Sequence, residues 1–219
     1  MTDCEDNLPK TQGPSLRGMI PVYALIVICV AVEGVLLAGD AGAFEQPRFR
    51  ATVYEQGGFW AGLFDNWQPN YPEQKWVMFL THSFLHVSHW HLVLNMATLF
   101  FLGRIVVERV GGFKFLVLYT ISVLGGAFGF ALLTQSFDPM VGASGALFGL
   151  AGSILAWEYV DRFSLREGLW PVAFFVGLLF ALNVAMFYAM NGRLAWETHL
   201  GGFVTGWLMA TLLDPRGRA

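Results

Sequence analysis

The sequence predicts an all-α, polytopic membrane protein built as a bundle of six transmembrane helices. Its composition is the first observation: 55% of the 219 residues are hydrophobic and 13% are charged, against about 25% charged residues in soluble domains. The second is that apolar segments long enough to cross a bilayer, which takes roughly 20 residues, recur from residue 20 to residue 213. The third is the uneven distribution of Lys and Arg between alternate connections, which is typical of multi-pass proteins.

The chain starts with a polar stretch, residues 1–18, which we expect to be a flexible cytoplasmic tail. The first span follows at 20–39, IPVYALIVICVAVEGVLLAG. The sequence Ala41-Gly42-Ala43 resembles a signal-peptide cleavage site, but the apolar run exceeds the roughly 7 to 15 residues of a signal peptide, and the tail before it is not net positive. We therefore expect a retained transmembrane anchor.

The connection after the first span is long, about 40–75, and rich in aromatic residues that suit the membrane–water interface. We expect this first loop to lie on or dip into the bilayer surface. Five further apolar segments predict the remaining spans, so that the six-helix domain covers 19–214 and a short cytoplasmic tail covers 215–219. These segments are 88–107, 113–133, 143–158, 169–190 and 195–213.

The basic residues predict the orientation of the bundle. The two tails and the turns at 103–114 and 159–168 contain nine Lys and Arg residues, whereas the alternate connections contain four. Because cytoplasmic segments carry the excess of positive charge, both termini are expected in the cytoplasm. The connection near 134–142 then faces outside.

Charge and cysteine content exclude some classes of function. The formal net charge is −3 and no run of Lys or Arg occurs, which argues against nucleic acid as a partner. Cys4 lies in the tail and Cys29 in the first span, so we expect neither a disulfide between them nor a cysteine metal site. His82 and His86 offer at most two ligands where zinc needs three or four, and we expect no metal and no other cofactor.

Glycines at helical spacing indicate which helices touch. Gly145, Gly149 and Gly152 fall at i, i+4 and i+7 in the fourth span, and Gly202 and Gly206 lie four apart in the sixth. Small residues at this spacing let two helix backbones approach closely in lipid. We therefore expect the fourth and sixth spans to be neighbours.

Four polar side chains come to a similar depth near the outer end of three spans. Ser144 heads the fourth span, His199 lies one turn into the sixth, and His91 and Asn95 share one face at the start of the second. Such groups are costly in a membrane interior and usually mark function. Taken alone, a serine in a membrane helix usually bonds its own backbone, and an asparagine is as often a helix–helix hydrogen bond, so the joint pattern carries the prediction.

The same residues predict a hydrolytic site. His199 lies on the face of Gly202 and Gly206, so its imidazole can meet the Ser144 hydroxyl, and a serine beside a histidine base is an activated nucleophile. The side chains of His91 and Asn95, with the free backbone N–H of Ser144 at a helix start, can stabilise the oxyanion. Gly142 and Gly145 are expected to leave room for a substrate backbone.

The motifs GASG at 142–145 with Gly149, HLGG at 199–202 with Gly206, and HxxxN at His91 to Asn95 resemble the rhomboid family of intramembrane serine proteases, in its bacterial six-helix type. HSFLH at 82–86 and ERVGGFKFLVLY at 108–119 also look like family segments. The resemblance runs from about Thr81 to Gly206 with the motifs in the same order. It implies a rhomboid-like bundle.

The resemblance implies a dyad of Ser144 and His199 with no acidic third member, working through an acyl-enzyme, and an oxyanion hole formed by His91, Asn95 and the Ser144 N–H. The partners would be membrane lipid and single-pass transmembrane proteins, cut near the outer end of their segment. The location would be a bacterial inner (cell) membrane, with the site opening to the outer side. No oligomeric state is specified.

Two positions depart from the family pattern. A Trp-Arg pair common in the first loop is replaced by Val77 and Met78, which puts the shape of that loop in question. Phe148 stands four residues after the serine, where many members have tyrosine, and its ring can still stack on the histidine.

Two rival functions stay open. An inactive rhomboid-like binder would hold client helices without cutting them, although the joint presence of Ser144 and His199 argues against it. A small transporter or metal-handling channel would predict an internal repeat and a polar path across the bilayer, and the sequence has neither.

Overall fold

The computed structural model describes residues 13–213 and is all-helical over that range, apart from one isolated bridge between Phe59 and Met140. The predicted all-α class is confirmed for these residues. The first twelve residues of the predicted tail, and the predicted tail at 215–219, lie outside the described range. Residues 13–213 form eight α-helices, which are α1 (Leu16–Asp40), α2 (Phe49–Gly57), α3 (Gln74–Thr81), α4 (His89–Val110), α5 (Gly112–Leu133), α6 (Ser144–Ser164), α7 (Trp170–Ala189) and α8 (Trp196–Leu213).

Six of these helices are long, and each coincides with a predicted span. By length and composition, α1, α4, α5 and α7 are apolar enough to cross a membrane. The other two long helices, α6 and α8, are not apolar enough over a length that would cross a membrane. Both contain polar or charged side chains at one end, Glu158 and Asp161 in α6 and Glu197 and His199 in α8.

Helix ends differ from the predicted bounds for local reasons. α1 begins at Leu16, inside the stretch assigned to the tail, because the Ser15 side chain caps it by accepting a hydrogen bond from the Gly18 N–H at 3.1 Å. α6 continues to Ser164, six residues past the predicted end at 158. Arg109 of α4 donates two hydrogen bonds, of 2.8 and 3.1 Å, to the carboxylate of Asp161 in this additional part of the helix.

The first loop packs into the bundle rather than only lying on the bilayer surface. Its backbone pairs with the loop before α6 through two hydrogen bonds between Phe59 and Met140, of 2.9 and 3.0 Å. The Phe59 ring is buried against Met78 and Phe130, while Trp76 stays exposed. The loop therefore supports the segment that leads into α6.

A buried ion pair ties the same loop to α1. Glu33 is only 2% exposed in the C-terminal half of α1, and Arg50 of α2 donates to both of its carboxylate oxygens at 2.9 and 3.1 Å. Arg50 also bonds Asp40 at 2.7 Å. Two parallel bonds from one guanidinium give a charge pair with fixed geometry, so α2 is held against α1.

The helices α6 and α8 pack against each other more extensively than any other pair, as the glycine pattern predicts. A Cβ atom added at Gly202 would overlap the Gly145 carbonyl, and one at Gly206 would overlap the Gly149 carbonyl. α5 lies against both helices. This close backbone contact, possible only for glycine, brings the start of α6 beside the start of α8.

Candidate active site

Ser144 stands at the first position of α6, directly after a turn that needs glycine. Gly142 has a φ of +128°, which L side chains rarely adopt, and its N–H donates to the His82 carbonyl at 2.9 Å. As the first helical residue, Ser144 has a backbone N–H with no partner in the preceding turn. This N–H therefore lies at the N-terminal end of α6, which is the positive end of the helix dipole.

His199 reaches Ser144 directly from α8. Its Nε2 lies 2.8 Å from the Ser144 Oγ, and the residue is 4% exposed. The Phe148 ring stacks on the imidazole with centroids 4.2 Å apart and planes 7° from parallel. The stacking expected of Phe148 is therefore present in the geometry, and the imidazole is held flat against α6.

The other nitrogen of this imidazole has a partner that the sequence analysis missed. The Asn183 Oδ1 of α7 lies 2.9 Å from the His199 Nδ1. The sequence does single out this residue. Asn183 is the only residue of α7 with an amide or charged side chain, and the helix contains no Ser or Thr. An amide in such an apolar helix needs a hydrogen-bond partner, but the sequence does not say which one.

His91 and Asn95 lie against the turn before Ser144. A Cβ atom added at Gly142 would lie 2.8 Å from the His91 Cε1 and 3.8 Å from the Asn95 Nδ2. Within the described residues, neither the Asn95 Nδ2 nor the His91 Nδ1 has a hydrogen-bond partner, although both are buried. The His91 Nε2 also faces this turn, 3.2 Å from a Cβ placed on Gly142. The His91 Nε2 and the Asn95 Nδ2 are therefore the side-chain nitrogens placed to meet a ligand here.

The glycines of the site serve packing more than the sequence suggested. Gly145 was expected to leave room for a substrate, but a Cβ there would lie 2.6 Å from the Thr198 hydroxyl oxygen. It thus faces α8 and not an open cleft. Gly202 likewise packs on Gly145, whereas Gly142 does face His91 and Asn95.

Two buried histidines support the site from the segment between α3 and α4. Besides accepting the Gly142 N–H, His82 places its Nδ1 2.8 Å from the Met78 carbonyl. The His86 ring lies edge-on to His91, with centroids 5.2 Å apart. Burial lowers the pKa of His82 to about 4. Burial, then the nearby His91, lower the pKa of His86 to about 4, so both rings are neutral at neutral pH.

The arrangement holds the parts that acyl transfer needs. A hydroxyl is hydrogen-bonded to an imidazole, and the side-chain nitrogens of His91 and Asn95 lie at the turn that carries the hydroxyl. Residues 13–213 contain no group of three or more His, Cys, Asp or Glu side chains arranged to hold a metal ion.

Comparisons with known proteins give a consistent match. The family model for the Rhomboid domain matches residues 73–216. RHOMBOID-like protein 4 of Arabidopsis thaliana is 36% identical over 141 residues, covering 64% of this chain and 34% of the plant protein. Rhomboid-like protease 3 of Toxoplasma gondii is 34% identical over 157 residues, covering 71% of this chain and 56% of that protein.

A bacterial protein matches as well. Rhomboid protease GluP of Bacillus subtilis is 28% identical over 139 residues, covering 64% of this chain and 26% of that protein. The first plant relatives are matched over about a third to a half of their own length. The matched region takes in every element from α3 to α8, and therefore Ser144, His199, His91 and Asn95.

Proposed function

This chain belongs to the rhomboid family of multi-pass membrane proteins, and from that premise we propose that it is a serine endopeptidase that cuts within the membrane. The substrate class is single-pass membrane proteins, cut in or next to their transmembrane segment. One observation carries the proposal: the 2.8 Å hydrogen bond between the Ser144 Oγ and the His199 Nε2. Two of the matched relatives are themselves named as proteases.

In the proposed reaction the Ser144 Oγ attacks the scissile carbonyl carbon while His199 takes the hydroxyl proton on Nε2. The same proton then passes to the leaving amine nitrogen, and the C–N bond breaks to leave an acyl-enzyme. Water, deprotonated by His199, hydrolyses the ester and restores the hydroxyl. No carboxylate is needed in this scheme.

The oxyanion formed at each tetrahedral step would be stabilised by the side chains of His91 and Asn95 and the N–H of Ser144. The support is that the His91 Nε2 and the Asn95 Nδ2 both face the turn before Ser144, 3.2 and 3.8 Å from a Cβ placed on Gly142, and that the Asn95 Nδ2 is buried without a partner among residues 13–213. Leaving a buried donor unpaired costs about 1–3 kcal/mol. A pocket that forms its hydrogen bonds only with the reacting oxygen explains why the Asn95 amide stays unpaired.

We further propose that α6 and α8 also cross the membrane, which gives six spans. Both pack side by side with α5, which is apolar enough to span. Their polar ends face the site and the Arg109–Asp161 pair instead of lipid. Nine of the thirteen Lys and Arg residues lie in the tails and the turns at 103–114 and 159–168, which supports a cytoplasmic location for those turns and a site that opens to the outer side.

For the location we propose a bacterial inner (cell) membrane, supported by the match to the Bacillus subtilis protease. Membrane fractionation of the native host, with antibody against the protein, tests it. Recovery of the protein in an organelle membrane would contradict it.

The direct test is cleavage of a single-pass transmembrane substrate by the purified protein in detergent or liposomes. Wild type should release a product whose new terminus lies in or beside the transmembrane segment, and Ser144→Ala and His199→Ala should abolish the product. Ser164→Ala is the matched control, because this exposed serine of α6 bonds only its own helix, at the Val160 carbonyl. Equal inactivity of wild type and Ser144→Ala would favour the binder instead.

A further inference from the structure

We propose that Asn183 of α7 is a positioning residue that fixes the tautomer and the ring orientation of His199. This role rests on the proposed protease function, whereas the contact between Asn183 and His199 does not depend on that function. For the nucleophile and its base, the sequence pattern and the family resemblance point only to Ser144 and His199. The third polar group comes from a helix in which nothing else suggests chemistry.

The hydrogen-bond chemistry of the contact determines where the imidazole proton sits. The Asn183 Oδ1 is a carbonyl oxygen, which accepts and does not donate. At 2.9 Å from this oxygen, the His199 Nδ1 must therefore carry the hydrogen. In a neutral imidazole the other nitrogen is then bare, so Nε2 presents its lone pair to the Ser144 O–H, 2.8 Å away.

The ring is also held in position from two sides. Phe148 stacks on its face, which restricts tilting but leaves rotation in the ring plane free. The bond from Nδ1 to Asn183 and the bond from Nε2 to Ser144 lie on different edges of the ring and block that rotation. A base whose nitrogen points steadily at the nucleophile is ready for proton transfer without reorganisation.

The setting of Asn183 gives a second reason to assign it a role. Of the twenty residues of α7, only Val172 is buried, and most of the others are exposed to the surroundings of the bundle. Asn183 is half-buried and faces inward. An asparagine in an apolar helix lowers its membrane stability unless it is hydrogen-bonded, and the bond it makes is to the catalytic base.

The geometry also links α7 to the reaction. Because few side chains of α7 are buried in the bundle, the bond to His199 is a specific polar tie between this helix and the site. The orientation of the base therefore depends on α7 being in place. The chemical role resembles that of a third triad member, filled by a neutral amide that orients the imidazole without adding charge.

The first test uses kinetics on the full-length protein. Asn183→Leu keeps the branching of the side chain at Cγ but removes the acceptor, and kcat should fall about 10- to 100-fold with KM little changed. Asn183→Asp keeps acceptor oxygens and should retain most of the wild-type kcat. Leu182→Ala and Val184→Ala are matched controls, since both flanking side chains are exposed, and they should leave kcat unchanged.

The second test reads the tautomer without any activity. In Ser144→Ala protein with ¹⁵N-labelled histidine, NMR should give His199 a protonated Nδ1 and a bare Nε2, and Asn183→Leu in the same background should remove this preference. If Asn183→Leu does not fold, as judged by gel filtration and thermal unfolding, Asn183→Ala replaces it in both tests.

An unchanged kcat in Asn183→Leu, an unchanged tautomer, or an equal loss of kcat in Leu182→Ala would overturn the role of Asn183. Failure of wild type to cleave any substrate would instead contradict the proposed function, and the NMR measurement would still decide the role of Asn183.

Discussion

Asn95 is a buried amide whose Nδ2 has no hydrogen-bond partner among residues 13–213. A residue retained for stability would be paired, because an unpaired donor destabilises the fold. Its position beside Gly142, two residues before Ser144, instead suits a donor to the reacting oxygen. Activity and stability should therefore respond in different ways to its removal.

Asn95→Ala should lower kcat by about 10²- to 10³-fold, the usual effect of losing one oxyanion donor. The midpoint of thermal unfolding should stay the same or rise, because the substitution removes an unpaired buried group. Cleavage kinetics and a thermal unfolding scan on the same preparation check the predicted kcat and the predicted unfolding midpoint. Thr98→Val on the same helix is the control, since the Thr98 hydroxyl bonds only the Leu94 carbonyl of its own helix; retained kcat in Asn95→Ala would exclude the donor role.

Single residues also show where sequence reasoning stops. Ser144, His199, His91 and Asn95 were predicted from spacing and depth, and the fold brings them together around one turn. Asn183 was not found because a helical period says which face a residue occupies but not which helix lies opposite. Gly145 was assigned to substrate access as well as to helix packing, and only the fold shows that Thr198 lies against it.

Helix packing sets the distance between the Ser144 hydroxyl and the His199 imidazole. Ser144 and His199 are contributed by α6 and α8, whose backbones touch at glycines. The 2.8 Å hydrogen bond thus depends on the interhelical spacing two turns further along. A single methyl group at this contact changes that spacing.

Gly206→Ala should push α8 away from the Gly149 carbonyl of α6. We expect a loss of about 1–3 kcal/mol in the free energy of unfolding, as for other overpacking substitutions, and at least a tenfold fall in kcat, since the hydroxyl and the imidazole no longer meet. Unfolding scans and cleavage kinetics measure these effects. Gly177→Ala in α7 is the matched control, because a Cβ there meets nothing within 4 Å; an equal effect of both variants would contradict the account.

The six predicted segments coincide with the six long helices. For α1, α4, α5 and α7 the reason is that apolar runs of bilayer length leave few alternatives. The first loop was predicted less well. Its burial depends on Phe59 pairing with Met140 and on Arg50 reaching Glu33, contacts between residues 81 and 17 positions apart. The pattern of neighbouring residues does not specify which distant residues pair. From the sequence alone, Glu33 in an apolar span would be expected to form a hydrogen bond, but its partner could not be named.

The segment between α3 and α4 buries His82 and His86 beside the site, and their burial makes the stability of the whole molecule sensitive to acid. Folding lowers the pKa of each ring from 6.5 to about 4, so the unfolded chain takes up protons first. Stability present above about pH 6.5 should therefore be lost as the pH falls toward 4, by up to about 3 kcal/mol for each histidine.

Unfolding temperature measured from pH 7.5 to pH 4.5 checks this expectation. Wild type should become steadily less stable below pH 6.5, and His86→Phe should show a shallower decline. His89→Gln, at an exposed position, should follow wild type. A flat pH profile for wild type, or one that His86→Phe leaves as steep, would mean that these rings do not set the pH dependence of stability.

The claim on which everything else depends is that the Ser144 oxygen is made nucleophilic by His199. Labelling with a fluorophosphonate, followed by mass spectrometry of the modified peptide, measures this reactivity without any assumption about substrate. The adduct should lie on Ser144, be absent from Ser144→Ala and His199→Ala, and persist in Ser164→Ala. Absence of any adduct on folded wild-type protein, or equal labelling of His199→Ala, would contradict it.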